Sequence, residues 1–166
     1  MFKLKDLMMK ILPPATLMLA LSLGAATPAF ADAQMACKAV TNAEIEGQFA
    51  TFNAAWATKD PDKVTALFTK DAVLLPTVSN TPRTTPAGVR DYFVSFLKGS
   101  PQAVIQTSTI KKDCNTVSRV GLWTVTLTNA ATGAKSDVKA RYSFTYKWDA
   151  GAWKIDHLHS SMLPET

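Results

Sequence analysis

The sequence predicts an α+β domain in which three N-terminal helices pack across a curved antiparallel sheet. Three observations carry that reading. Apolar residues recur at helical spacing between residues 41 and 97, β-branched and aromatic runs with period-two alternation fill the last third, and one short apolar run stopped by a proline separates the helices. Helix stripes and a half-apolar sheet must bury against each other, which makes two layers, and long twisted strands make the covered face concave.

The chain has 166 residues, 47% hydrophobic and 19% charged, a globular composition of one domain's length that excludes disorder, collagen and coiled coil. Residues 1–31 have the parts of a secretory signal: a basic start (Lys3, Lys5, Lys10), an apolar stretch from Ile11 to Ala26 broken by Pro13 and Pro14, and the small-residue site Ala29-Phe30-Ala31. Cleavage is expected after Ala31, leaving 32–166 as a single domain exported to the periplasm or secreted. The apolar run after Pro14 is short of the roughly 20 residues a spanning helix needs, so no stable membrane insertion is expected after cleavage. Loss of those three lysines and Asp6 lowers the net charge from +5 to +3 and leaves no basic stripe, so no nucleic-acid partner is expected.

The first helix begins at Thr41-Asn42-Ala43-Glu44, a capping box, and carries Ile45, Phe49, Phe52 and Trp56 on one stripe to about Lys59. Asp60-Pro61 caps a short second helix with Val64, Leu67 and Phe68 inward. Ala72-Val73-Leu74-Leu75, stopped by Pro76, reads as a buried strand. The polar loop 77–85 follows, and Thr85-Pro86 opens a third helix with Val89, Tyr92, Phe93, Phe96 and Leu97, ended by Gly99. Four strands complete the chain: Ala103–Lys111, Val117–Thr128, Ser136–Trp148 and Trp153–Ser161, the last three an antiparallel meander.

Cys37 and Cys114 lie in the exported part, where two thiols pair when geometry permits. A Cys37–Cys114 disulfide is expected, tying the N-terminal segment to the sheet; the alternative is two separate buried thiols.

The order of elements resembles the nuclear transport factor 2-like, or cystatin-like, cone. The closing run Gly151-Ala152-Trp153 through His157-Leu158-His159-Ser160-Ser161 to Pro164 resembles the last strand of the calcium/calmodulin-dependent protein kinase II association domain, with its G-x-W, H-x-H-x-S and proline. Phe52-Asn53-Ala54-Ala55-Trp56, Asp71 to Thr77, Pro82-Arg83, Asp91-Tyr92-Phe93 and Ala140 to Phe144 are similar to small exported bacterial members of that family. Ser160 stands where an arginine commonly follows the second histidine. The resemblance implies a module that forms a homodimer or larger ring and keeps a polar pocket inside the cone. It does not imply a kinase, since the chain has no Gly-rich phosphate loop, H-R-D or D-F-G.

The candidate chemistry is sparse. His157 and His159, two apart on a strand, are expected on the face of Trp153 and Ile155, where they either serve a ligand or fill the cone. No third ligand stands at metal spacing, so neither metal nor cofactor is expected. Arg141 and Arg83 are placed to reach the mouth, where a guanidinium suits a carboxylate or phosphate, whereas Arg90 belongs on the exposed side of its helix. Trp56 and Tyr92 are the aromatic groups expected to line the site, with Tyr142 and Tyr146 as further aromatic neighbours. Of the acidic residues, Asp71 and Asp91 remain as conceivable bases, each with a cap or surface role as the simpler assignment. The leading expectation is an exported, self-associating ligand-binding or scaffold module for a small anionic ligand, leaning away from catalysis. The competing one is a small-molecule isomerase, cyclase or hydratase resembling SnoaL-like cyclases and ketosteroid isomerase and using the same pocket.

Overall fold

The structure, a computed structural model, describes residues 36–164; the signal expected at 1–31 lies outside them. Helix α1 spans Asn42–Ala57 and α2 Pro61–Thr65; β1 spans Phe68–Leu75; α3 spans Pro86–Phe96 and tightens into a 3-10 turn at Leu97–Gly99. Strands β2 (Gln102–Asp113), β3 (Thr116–Thr128), β4 (Lys135–Asp149) and β5 (Ala152–Met162) follow. The expected caps are present. Thr41 accepts from the Glu44 backbone N–H while the Glu44 carboxylate accepts from the Thr41 N–H at 2.7 Å and its hydroxyl at 2.8 Å. Those bonds hold the Glu44 carboxyl below the usual carboxylate range. Asp60 and Thr85 cap α2 and α3, each with proline in the first turn.

The sheet order is β1-β5-β4-β3-β2. The last three strands form the expected antiparallel meander, β2 extends it antiparallel to β3, and β1 joins the edge of β5 in parallel. No hairpin turn constrains β1, since it enters from α2 and leaves into α3. Phe68, expected on the second helix, instead opens β1 opposite Ile155. Its ring is 6.2 Å from that of Phe52, so tertiary burial overrides the helical spacing.

Phe52 is the centre of the core. Fully buried on α1, it meets Trp56 at 4.7 Å, Phe144 of β4 at 5.5 Å and Phe93 of α3 at 6.3 Å, mostly edge to face. Asn53 beside it fastens the helix to the sheet edge: its side-chain amide donates to the Ala103 carbonyl at 2.6 Å and accepts from the Ala103 N–H at 3.0 Å.

Two sheet irregularities decide which side chains face the helices. In β2 the register slips between Ile105 and Thr107, and the Thr107 carbonyl turns over Gly121 of β3. A Cβ at residue 121 would sit 2.0 Å from that oxygen; without one, the Tyr142 hydroxyl of β4 reaches across and donates to it at 3.0 Å. In β5 an extra residue, Asp156, stands between Ile155, opposite Tyr146, and His157, opposite Thr145. Trp153 and Ile155 therefore face the helices, as do Leu158 and Ser160, all buried. His157 and His159 turn to the other face beside Thr145 and Ser143. This corrects their expected placement with Trp153 and Ile155, because a single inserted residue reverses the alternation.

Cys37 and Cys114 form the expected disulfide across a separation of 77 residues. The loop-entropy treatment puts its contribution at about 4 kcal/mol as an upper figure. Beside it the Lys38 N–H donates to Asn115 Oδ1 at 2.7 Å, and the Lys38 ammonium lies 4.7 Å above the Trp148 ring.

Gly121→Ala forces the crowded carbonyl and the Tyr142 bond apart. We expect a loss of about 3 kcal/mol in chemical denaturation. An unchanged denaturation midpoint would contradict this reading of the β2 bulge.

Candidate functional site

At one end of the inner face, α3, the start of loop 76–85 and strands β3 and β5 converge on a narrow cleft. Trp56, Leu74, Phe93, Phe96, Trp123 and Leu158 are among the side chains of its wall, and the interior space is about 30 Å³. Such a space admits little more than a water molecule. The cleft's polar groups are hydroxyls. Ser160 Oγ accepts from the Trp123 indole N–H at 3.1 Å and from the Thr77 hydroxyl. The Trp56 indole N–H is buried with no acceptor.

The cleft opens outward into a groove of about 400 Å³ that shares Val78, Tyr92, Phe96 and Leu127 with it. That volume lies in the range of small-molecule sites. Arg83 lies on its wall and is built in from several directions. Its backbone exchanges two hydrogen bonds with Leu74 of β1, at 2.8 and 2.9 Å. Its side chain passes beside Gly88, and its Nη1 donates to Asp91 Oδ2 at 3.0 Å. The Arg83 Nε is buried without an acceptor, while the Asp91 carboxylate is largely exposed. Burial pushes the Tyr92 hydroxyl upward from its ordinary pKa, and the nearby Arg83 charge opposes the rise. Tyr92 is therefore a neutral hydroxyl beside a guanidinium at neutral pH.

The structure gathers three of the expected ligand-binding residues: Arg83 and Tyr92 at the groove, and Trp56 in the cleft behind them. The other three are elsewhere. Arg141 is exposed and sits opposite Leu122 and Ser161, with Ala140 and Tyr142 on either side of it buried toward the helices. His157 and His159 share that outer face through the β5 bulge. The expected anion site of Arg141 with the two histidines at the mouth is thus corrected: strand alternation puts Arg141 outside, and the inserted Asp156 puts the histidines there.

Asp71 is exposed, and Asp91 belongs to the groove through Arg83. Arg90, expected on the exposed side of its helix, pairs with Asp62 there. Trp123 and Ser160 are the principal residues that sequence reasoning missed. Once a bulge is known to precede His157, simple alternation from Leu158 would have found Ser160.

Among the described residues no helix is long and apolar enough to cross a membrane, and no three metal-ligating side chains cluster.

Comparison with known proteins follows the same lines. The pattern of the calcium/calmodulin dependent protein kinase II association domain matches residues 41–164. A protein from Xanthomonas campestris, described as a candidate association domain of that kind, is 42% identical over 79% of this chain and 97% of its own, with a TM-score of 0.72. A nuclear transport factor 2-like superfamily protein from Salmonella enterica shares the fold at 15% identity and a TM-score of 0.65, covering 75% of this chain and 92% of its own. A candidate aromatic ring hydroxylase from Novosphingobium aromaticivorans shares it at 22% identity and a TM-score of 0.65, over 74% and 89% of the two chains. No curated protein matches.

Proposed function

The chain belongs to the calcium/calmodulin dependent protein kinase II association domain family, and from that premise we propose an exported, self-associating module that binds a small amphipathic anion at the cone mouth. The observation that carries the ligand reading is Arg83. Its backbone is fixed to β1, one nitrogen is held by Asp91, and its guanidinium lines the groove beside Tyr92, where an incoming carboxylate can pair with it. Beside that charged group, Val78, Phe96 and Leu127 of the 400 Å³ groove suit the apolar part of the same molecule. Binding is favoured over isomerase, cyclase or hydratase chemistry because the groove's carboxylate, Asp91, is largely exposed and paired with Arg83, and no side chain lining the cleft carries a carboxylate or imidazole to act as a base. The disulfide supports an oxidising compartment, in keeping with the signal segment at 1–31.

Self-association is assigned to the outer sheet face, where Val120 of β3 is 39% exposed next to Ser143 and His159 in one cross-strand row. Such a row can be covered by its own copy about a two-fold axis.

Light scattering of the processed chain is expected to give a dimer or ring, and Val120→Lys a folded monomer with an unchanged far-UV circular dichroism spectrum and a thermal midpoint that no longer depends on protein concentration. A monomeric parent protein would contradict the association reading. For the ligand, titration with benzoate is expected to change Trp fluorescence saturably, and Arg83→Met to weaken the apparent affinity about tenfold. An equal response in the variant would remove Arg83 from the site.

A further inference from the structure

The inner sheet face holds a second cation that the cone mouth does not use. Arg119 of β3 is 5% exposed and lies between Ile110 of β2 and Phe144 of β4. It is four residues from Trp123, or about 13 Å along the strand from the cleft. Its Nε donates to Ser108 Oγ at 2.9 Å, and its guanidinium carbon lies 5.7 Å from the centre of the Phe49 ring. Its Nη1 is buried with no acceptor. The hydroxyl of Tyr146, on the neighbouring strand, is likewise buried with no partner.

The groups packed around Arg119 supply no counter-charge. Phe49 comes from α1, Ser108 and Ile110 from β2, and Phe144 and Tyr146 from β4. Glu46 of α1 is exposed and forms no ion pair, and the ion pairs among the described residues are Arg83–Asp91 and Arg90–Asp62. A guanidinium keeps its charge in proteins, and a buried charge left without a partner is strongly unfavourable. Burial pushes the Tyr146 hydroxyl upward from its ordinary pKa, against the Arg119 charge, so it stays protonated and able to donate. Ser108, which bonds Arg119 directly, is itself exposed and Phe49 is only half-buried, so solvent lies one side chain away from the guanidinium.

We propose that Arg119 Nη1, with the Tyr146 hydroxyl as a second donor, binds a small carboxylate beneath α1, at a site separate from the cone mouth. The ligand proposed is formate- or acetate-sized, the smallest carboxylate that offers two acceptor oxygens to these donors. Its carboxylate accepts from the guanidinium and the phenol without any bond being made or broken.

The test uses the processed chain, with acetate as the probe at constant ionic strength. The thermal midpoint is expected to rise saturably with acetate, to lose that dependence in Arg119→Met, and to need about tenfold more acetate in Tyr146→Phe. A response equal in all three proteins, or none in the parent, would overturn the proposal. Should Arg119→Met fail to fold, the Arg119 Nε–H resonance of the 15N-labelled parent decides: a saturable shift with acetate supports the site, and an unmoved resonance refutes it. Glu46→Gln separates the source of the charge. If that variant gains acetate dependence that the parent lacks, Glu46 supplies the partner carboxylate and the free-anion site is wrong. Because Arg83→Met leaves this site intact, failure at the mouth and failure here are read independently.

Discussion

Asp156 is the residue at which both ladders of β5 slip, and the division of the sheet into an inner and an outer face depends on it. On the β4 side one residue is added between Ile155 and His157; on the β1 side the pairing jumps from Phe68 to Val73 across the same point. The two irregularities are tied together, since the Thr69 hydroxyl of β1 donates to the Asp156 carboxylate at 3.0 Å. Ile155 donates to the Leu67 carbonyl at 2.8 Å immediately before the slip, which fixes the strand on its N-terminal side. A bulge held from the neighbouring strand is a specified feature of the fold, and it sets the direction of every side chain that follows.

The consequences reach the functional surfaces directly. With the slip, Ser160 points inward, where it joins Trp123 to Thr77 and completes the cleft. The histidines point outward to a face they share with Val120 and Ser143. The same closing motif therefore presents side chains to both sides of one sheet. Its serine finishes a small aromatic chamber, while its histidines belong to the surface assigned to self-association. The β2 bulge has a more local role: Gly121 leaves room for the Thr107 carbonyl, and Tyr142 satisfies it, so the edge of the sheet curves without leaving a buried acceptor unpaired.

Much of this architecture was legible in the sequence because it rests on local chemistry. The capping box at Thr41, the Asp60-Pro61 and Thr85-Pro86 starts, and the stripe from Ile45 to Trp56 follow from helix geometry alone, and the structure reproduces them. The period-two alternation of the last third holds along continuous strand β4, where Tyr142, Phe144 and Tyr146 are buried. The same rule failed across Asp156, since an inserted residue leaves no mark in composition or spacing. Arg141 shows a different limit: alternation with Ala140 and Tyr142 turns it to the outer face, and its charge alone does not tie it to the mouth. Arg83 was identified because its loop stands before α3, but its Nε and its pairing with Asp91 are tertiary facts. Arg119 went unnoticed because an arginine inside an apolar alternation reads as an exposed residue until its neighbours are known.

The central claim is the assignment of faces at the end of β5, and proton–proton proximity in solution tests it most directly. The account predicts strong nuclear Overhauser contacts between the Trp123 indole N–H proton and the Ser160 β protons, with His159 in contact with Leu75 and Ser143 on the outer face. Contacts from the Trp123 indole to the His159 ring, with Ser160 contacting Ser143 instead, would contradict it and return the histidines to the interior of the cone.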